Sequence, residues 1–459
     1  MRHSYSLPFS VPGNPTDRKA IHYYHNVAAS SLSGFKQSDF WYRFVMQRSE
    51  TEPIVRMAAI ALSHAHLEFG SQPTGLSFIA ARHQSSQSSL AQLSQRKYPV
   101  DEHSAVTIAY NRALRKLRLY MQNTALPCRT VVLICAVMFY VIDTLRHDFT
   151  AAEKHAENGI AIISQWRKDL TRRLECHVPE DMDRLLTMYA SLDLGAAMSC
   201  RDRPPRIETV RAFEPEVNGN CSGTLLQPLR FVEAEQALSW SVNLSHGVWA
   251  FLDKYEKYRK VDIELVPEYV VEQKRELQSG LKLWYCATEQ LKRDIVTSDS
   301  HGIRSGKPGS SAEQSSDLMA LAVSEAQYLC GKWLLAESLQ DSCNHHLCDS
   351  DAETAFMLAE KFLVQIRKRR TAGDTTVLYA SKVFTSFGHS LQSLMILLHR
   401  TRSPQIRERA VALVKEFQAL EDLSSFRALF PDWDAPEPRS VFLFERPTQH
   451  DYVKEDPQN

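Results

Sequence analysis

The sequence is poor in helix-breaking residues and lacks the close cysteine pairs that hold structural zinc. Sixteen glycines and 20 prolines in 459 residues are too few for a fold built on many tight turns, which argues against a β-rich architecture. Neither sign of charge is in surplus, with 54 Lys+Arg against 54 Asp+Glu. Tight nucleic-acid binders carry a basic excess, because neutralising phosphates drives most of their affinity. The balance therefore lends no support to direct DNA contact. No Cys-x-x-Cys occurs. Cys128, Cys135, Cys176, Cys200, Cys221, Cys286, Cys330, Cys343 and Cys348 are scattered, as expected of reduced thiols rather than a secreted disulfide framework. The most apolar run, Thr130 to Ile142, falls short of the ~20 residues a membrane span needs. Met1-Arg2-His3-Ser4-Tyr5-Ser6 lacks the apolar stretch of a secretory signal. Cytoplasm or nucleus is the expected location, with no membrane association.

What is present is core-forming material at helical spacing. Hydrophobic residues make up 44% of the chain and aromatics 9%, enough to exclude a wholly disordered chain. Residues 1–16, with Pro8, Pro12, Gly13 and Pro15, read as a loose lead-in, and helical patterning starts near Asp17. Thr51-Glu52-Pro53 predicts a helix start, with Thr51 as the capping residue. The following Ile54 to Leu62 is apolar nearly all round and belongs inside a bundle. Residues 71–100 are Ser/Gln-rich, a loop or a weak helix. Val106, Ala109, Tyr110, Ala113, Leu114, Leu117 and Met121 recur at helical spacing. Pro127 opens an element whose Val131–Ile142 stretch reads as a central buried helix, followed by a short helix over Ala151–Trp166.

Further helices are expected over Pro228–Tyr258 and Pro267–Val296. The last third carries two stripes. One is Ala355, Phe356, Ala359, Phe362, Leu363 and Ile366. The other, behind Ser403-Pro404, is Ile406, Ala410, Leu413, Val414, Phe417 and Leu420. Val441–Phe444 is the best strand signal, and it is isolated. The expected fold is all-α, a multi-helix bundle or irregular helical array with disordered polar linkers. It divides into a lead-in (1–16), an N-terminal helical half (17–200), a linker (201–226), a C-terminal half (227–430) with a disordered loop over 297–317, and a polar tail (431–459).

Each chemical candidate has a plainer structural reading. Cys343-Asn344-His345-His346-Leu347-Cys348 could supply metal ligands, but no second half with matching spacing exists, and Asp341, Asp349 and Asp351 mark an exposed turn. No nucleophile elbow, zinc-protease or P-loop motif occurs. His64 and His66 point to different sides of a helix, and His155-Ala156-Glu157 reads better as a buried, hydrogen-bonded histidine than as a base with its orienter. Arg367-Lys368-Arg369-Arg370 fits a nuclear-import signal, yet it also ends a helix, where cations complement the dipole. The alternation of Arg112, Arg115, Lys116 and Arg118 with apolar residues marks a solvated helix face. No catalytic, cofactor-binding or metal residue is assigned, and no enzyme activity is expected.

Three ordered segments resemble the regulatory region of fungal zinc-cluster transcription factors. The first is Asp17–Tyr24 with Leu32-Ser33-Gly34-Phe35, Asp39-Phe40-Trp41, Glu52-Pro53-Ile54-Val55-Arg56 and Ala59–Leu62. The second is Ala109–Leu114, then Val132–Phe139, then Ala152–Ile163 with His155, Glu157, Asn158 and Gly159. The third is Leu398–Ala410, where Thr401 stands at the family's usual cysteine. The resemblance spans residues 17 to about 420 with large gaps. The family's six-cysteine, two-zinc reading head has no counterpart, since no cysteine precedes Cys128 and Met1 lies just ahead of the first match. Two readings stay open: the gene model is truncated, or the protein acts through partners. The resemblance implies a transcription regulator in the nucleus, working through other regulatory proteins or a DNA-binding partner, in control of a metabolic or secondary-metabolite gene set. Homo- or hetero-oligomerisation is compatible with it. The alternative is a non-enzymatic helical scaffold or small-molecule-sensing module outside transcription.

Overall fold

The computed structural model describes residues 13–33, 39–69, 104–124, 128–146, 148–173, 180–199, 205–207, 229–258, 261, 263–300, 310–339, 349–371, 393–394, 397–398, 401 and 403–420. Every described element is helical, and no strand occurs among the described residues. The chain begins with α1 (Pro15–Tyr23), a π-helical stretch (Tyr24–Ala28) and α2 (Ala29–Leu32). A second π-helical stretch (Asp39–Phe44) leads into α3 (Val45–Thr51) and α4 (Pro53–Phe69). Then come α5 (Ala105–Asn123), α6 (Arg129–Leu145), α7 (Phe149–Arg173) and α8 (Glu180–Ser199). Then follow α9 (Ala234–Lys254), two 3-10 turns (Glu256–Tyr258 and Ile263–Leu265), α10 (Glu268–Ser300), α11 (Ser310–Ser338), α12 (Asp349–Thr371) and α13 (Pro404–Leu420).

Local chemistry explains several boundaries. The Asn14 side chain accepts the Asp17 amide at 2.7 Å and Pro15 follows it, so α1 starts inside the expected lead-in. Thr51 does not cap α4. It is the last residue of α3, and Glu52 in extended backbone takes the capping position, its carbonyl accepting the Arg56 amide at 3.1 Å. Arg56 then reaches back to the Ser49 and Glu50 carbonyls, both at 2.8 Å, giving the end of α3 the partners its last carbonyls lack. Ser104 caps α5 through the Thr107 amide, and Ser403 caps α13 through the Ile406 amide.

Two hydrophobic cores result. In the first, α6 is central: every residue from Thr130 to Leu145 is buried, because α4, α5, α7 and α8 all pack against it. The second assembles from α9 to α13, with Trp284 and Phe362 deep inside. Helix α8 joins them. Leu185, Met188, Tyr189 and Leu192 belong to the first core, and Leu194 belongs to the second.

Several sequence expectations are corrected. Helix α7 is not short but runs 25 residues. The 297–317 segment, expected as a disordered loop, is helical at both ends: α10 continues to Ser300 and α11 starts at Ser310. Met121 was assigned to the buried stripe of α5 yet is 48% exposed. Pro205–Ile207, inside the expected linker, is anchored, with Ile207 buried. The Ser/Gln-rich stretch, the Val441–Phe444 strand and the tail lie outside the described residues, as do the side chains of Ile366, Val414, Phe417 and Leu420.

Gly159 on α7 lies flush against Tyr189 of α8, so that a β-carbon there would enter the tyrosine ring. The Tyr189 hydroxyl is held by the Leu133 carbonyl at 2.9 Å, so the ring cannot retreat. Gly159→Ala should therefore cost about 1–3 kcal/mol or more by overpacking. Gly331→Ala on α11, where the β-carbon meets only Leu281 and Val248 at 3.7 Å, should be neutral or gain up to about 1 kcal/mol of helix propensity. Urea unfolding of the two variants checks the contrast.

Candidate functional site: two buried polar networks and an exposed basic helix

The first network joins two residues of the resembling segments, Tyr110 and His155, through Asp143. Tyr110 on α5 donates its hydroxyl to Asp143 Oδ2 on α6 at 2.6 Å, and His155 Nε2 on α7 lies 3.2 Å from the same hydroxyl. Arg146 approaches Asp143 Oδ1 at 3.5 Å and covers the Tyr110 ring. Phe139 closes the site edge-on to Tyr110. Burial pushes the Asp143 carboxyl up to about 7, against the downward pull of the Tyr110 hydrogen bond and Arg146. Burial also pulls His155 down to about 4. A neutral histidine and a protonatable carboxyl thus share one hydroxyl, an arrangement that ties three helices together.

The second network lies where the cores meet, and the sequence reading did not single it out. His246 Nε2 on α9 contacts Asp193 Oδ2 on α8 at 2.9 Å, and both side chains have zero exposure. The same carboxylate oxygen accepts the Arg206 amide at 2.7 Å and the Ile207 amide at 2.9 Å. The available signal was one acid inside an apolar run, Leu192-Asp193-Leu194. A carboxylate there must find donors or lose its charge. Beside this joint, Leu194, Ser245, Trp249, Gln327, Cys330, Gly331 and Ser393 line a small cavity with room for about one water molecule.

The other sequence candidates fall as follows. His66 is buried and hydrogen-bonded through Nδ1 to the Tyr23 hydroxyl at 3.0 Å, and burial pulls it down to about 4. His64, two residues away, is only half-buried. Glu157 pairs with Arg206 rather than orienting His155. Arg367 pairs with Glu416 on α13 at 2.8 Å, the dipole-end placement taking a partner helix as well. The Thr401 side chain is buried and accepts the Ser403 amide, while its carbonyl takes Arg407 at 3.0 Å. Arg409 makes a two-pronged bond to Glu353 over the Phe356 ring, joining α13 to α12. The Cys343–Cys348 cluster lies outside the described residues. Among the described residues no three His, Cys, Asp or Glu side chains converge to hold a metal ion, and no helix is long and apolar enough to cross a membrane.

Helix α5 is the exposed basic element. Its outward face carries Arg112, Arg115, Lys116 and Arg118 with no acid anywhere on the helix.

Two changes test these networks. Asp193→Ala strands two backbone amides and a buried imidazole, and should cost about 3–5 kcal/mol. His246→Gln keeps a donor toward Asp193 and should lose clearly less; equal losses in chemical denaturation would show that the carboxylate is not the hub. The pH dependence has opposing signs. The raised Asp143 contributes stability present below about pH 4 and lost as pH rises through 7. The depressed His155 contributes stability present above pH 6.5 and lost as pH falls through 4. Between those values the two slopes cancel. Asp143→Asn leaves His155 uncompensated, so the variant's melting temperature should fall more steeply than the wild type's from pH 6.5 to 4.

Comparison with known families adds one finding: residues 20–229 match the fungal specific transcription factor domain. Comparison with curated proteins and with solved structures gave no match. The matched span takes in the first core, its Tyr110–Asp143–His155 network and the Asp193 side of the joint, and its described residues hold no metal-binding cluster. The match over residues 20–229 is to the regulatory-region family that the ordered motifs of the sequence resemble.

Proposed function

We propose that the chain is a nuclear transcription regulator that performs no chemistry and acts through protein–protein contacts, with a metabolic or secondary-metabolite gene set under its control. The observation that carries this reading is the family match over residues 20–229. The way the motif residues Tyr110, His155, Gly159 and Arg56 are engaged inside that span supports it. Tyr110, Asp143 and His155 bond to one another, Gly159 makes room for Tyr189, and Arg56 closes the end of α3. Residues committed to internal bonding are not available to a substrate. Recognition then falls to the exposed helix faces, and the partners are other regulatory proteins or a DNA-binding protein. The balanced overall charge favours such partners over unaided duplex binding.

Transcript profiling of a deletion strain, with a tagged full-length chain followed by microscopy, tests the proposal. The expected result is a nuclear fraction and a coherent set of altered transcripts. No altered transcript, or a tagged chain confined to the cytosol, would turn the reading toward a helical scaffold outside transcription. Purified protein that bound a particular duplex tightly and unaided at physiological salt would overturn the protein-contact route.

A further inference from the structure

The outward face of α5 has a pattern that solvation alone does not explain. At 100° per residue, the buried residues Val106, Tyr110, Ala113 and Leu117 define one side of the helix. Ile108, Arg112, Arg115 and Leu119 fall at i, i+4, i+7 and i+11 on the opposite side. Ile108 is 57% exposed and Leu119 44%, so two branched aliphatic side chains stand at the pole farthest from the core. They are about 16 Å apart along the axis, with two guanidinium groups between them and Lys116 and Arg118 on the flanks. Arg112 has a distant partner in Asp17, at 3.4 Å. Arg115, Lys116 and Arg118 make no ion pair among the described residues. A plain solvated face would alternate both signs of charge and keep large aliphatics off its pole.

From this we infer that α5 is a docking face for a partner protein's acidic amphipathic helix. That helix would set its own aliphatic side chains against Ile108 and Leu119 and its carboxylates against Arg112 and Arg115. Charge selects among the other occupants. A second copy of the chain meeting this face with the same face would bring four cations against four, which is repulsive. The chain's own segment 70–103 carries Arg82, Arg96 and Lys97 against Asp101 and Glu102, so it does not complement the face either. A duplex would satisfy the cations but leave the two aliphatic side chains at the pole without an apolar partner. An acidic amphipathic helix satisfies both, the geometry of helix-on-helix recognition through i, i+4, i+7 anchors. The inference deepens the reading of the chain as a regulator acting through protein contacts, yet its test does not depend on that reading.

The experiment uses the purified full chain and a fluorescent 16-residue helical peptide. The peptide has Leu at two positions eleven apart and Glu four and seven residues after the first Leu. Binding is followed by anisotropy at physiological salt. Saturable binding is expected. Arg115→Glu/Lys116→Glu should weaken it at least tenfold, and Ile108→Ser/Leu119→Ser should do so independently. All four residues are exposed, so unchanged circular-dichroism melting should accompany both losses. A peptide of the same composition with the stripe scrambled should bind at least tenfold more weakly. No binding to the wild-type chain overturns the inference. So does binding indifferent to Ile108→Ser/Leu119→Ser, which would mark mere charge attraction, or tighter binding of a 20-base-pair duplex at the same salt. Peptide binding in a protein whose deletion alters no transcript would refute the regulatory reading and leave the docking face standing.

Discussion

One buried carboxylate holds the two cores of this protein in register. Asp193 has no contact with water, and a single oxygen of it receives His246 from the second core and two backbone amides from the Pro205–Ile207 turn. An isolated charge at such a site would be untenable, and the donors convert that cost into a directional constraint. The residue before it, Leu192, faces the first core, and the residue after it, Leu194, faces the second. Helix α8 is thereby shared, and α9 is held against it at a fixed height. The matched family span ends at residue 229, just before α9, so the joint reaches beyond the region the family defines.

The family's motifs acquire a physical meaning in this arrangement. They are packing and hydrogen-bonding positions. Gly159 is small because Tyr189 occupies the space a methyl group would need. Tyr110 and His155 are polar because Asp143, one turn from the end of an otherwise apolar helix, must be satisfied. The Glu-Pro-x-Val-Arg motif begins α4 and, through Arg56, closes α3. In a helical array with no strand among the described residues to carry long-range backbone bonds, such side-chain ties set which helices neighbour which. Cys135 and Cys330 illustrate the same economy: both thiols are fully buried and burial pushes them upward, Cys330 to about 12, so they serve as small apolar fillers.

The all-α class, the buried helix at the centre of the first half, the stripe of α5 and the cap of α13 were legible in the residues. Each depends on neighbours within a few positions: helical periodicity, a capping Ser, a Pro in the first turn. The resemblance to the matched family was legible too, because it rests on short runs such as Ala109–Leu114, Val132–Phe139 and Ala152–Ile163, each read within a few positions. The joint was not legible. Asp193 and His246 are 53 positions apart, and nothing in either neighbourhood names the other. Nor did local polarity foretell that α10 and α11 extend into 297–317, or that Thr51 would end one helix while Glu52 capped the next. Those outcomes follow from which surfaces meet once the helices pack. Sequence determined what each segment would become, because helix formation is decided over a few turns. Tertiary structure alone decided which buried polar groups would find each other, because a desolvated charge selects its partners from whatever the whole fold brings within 3 Å.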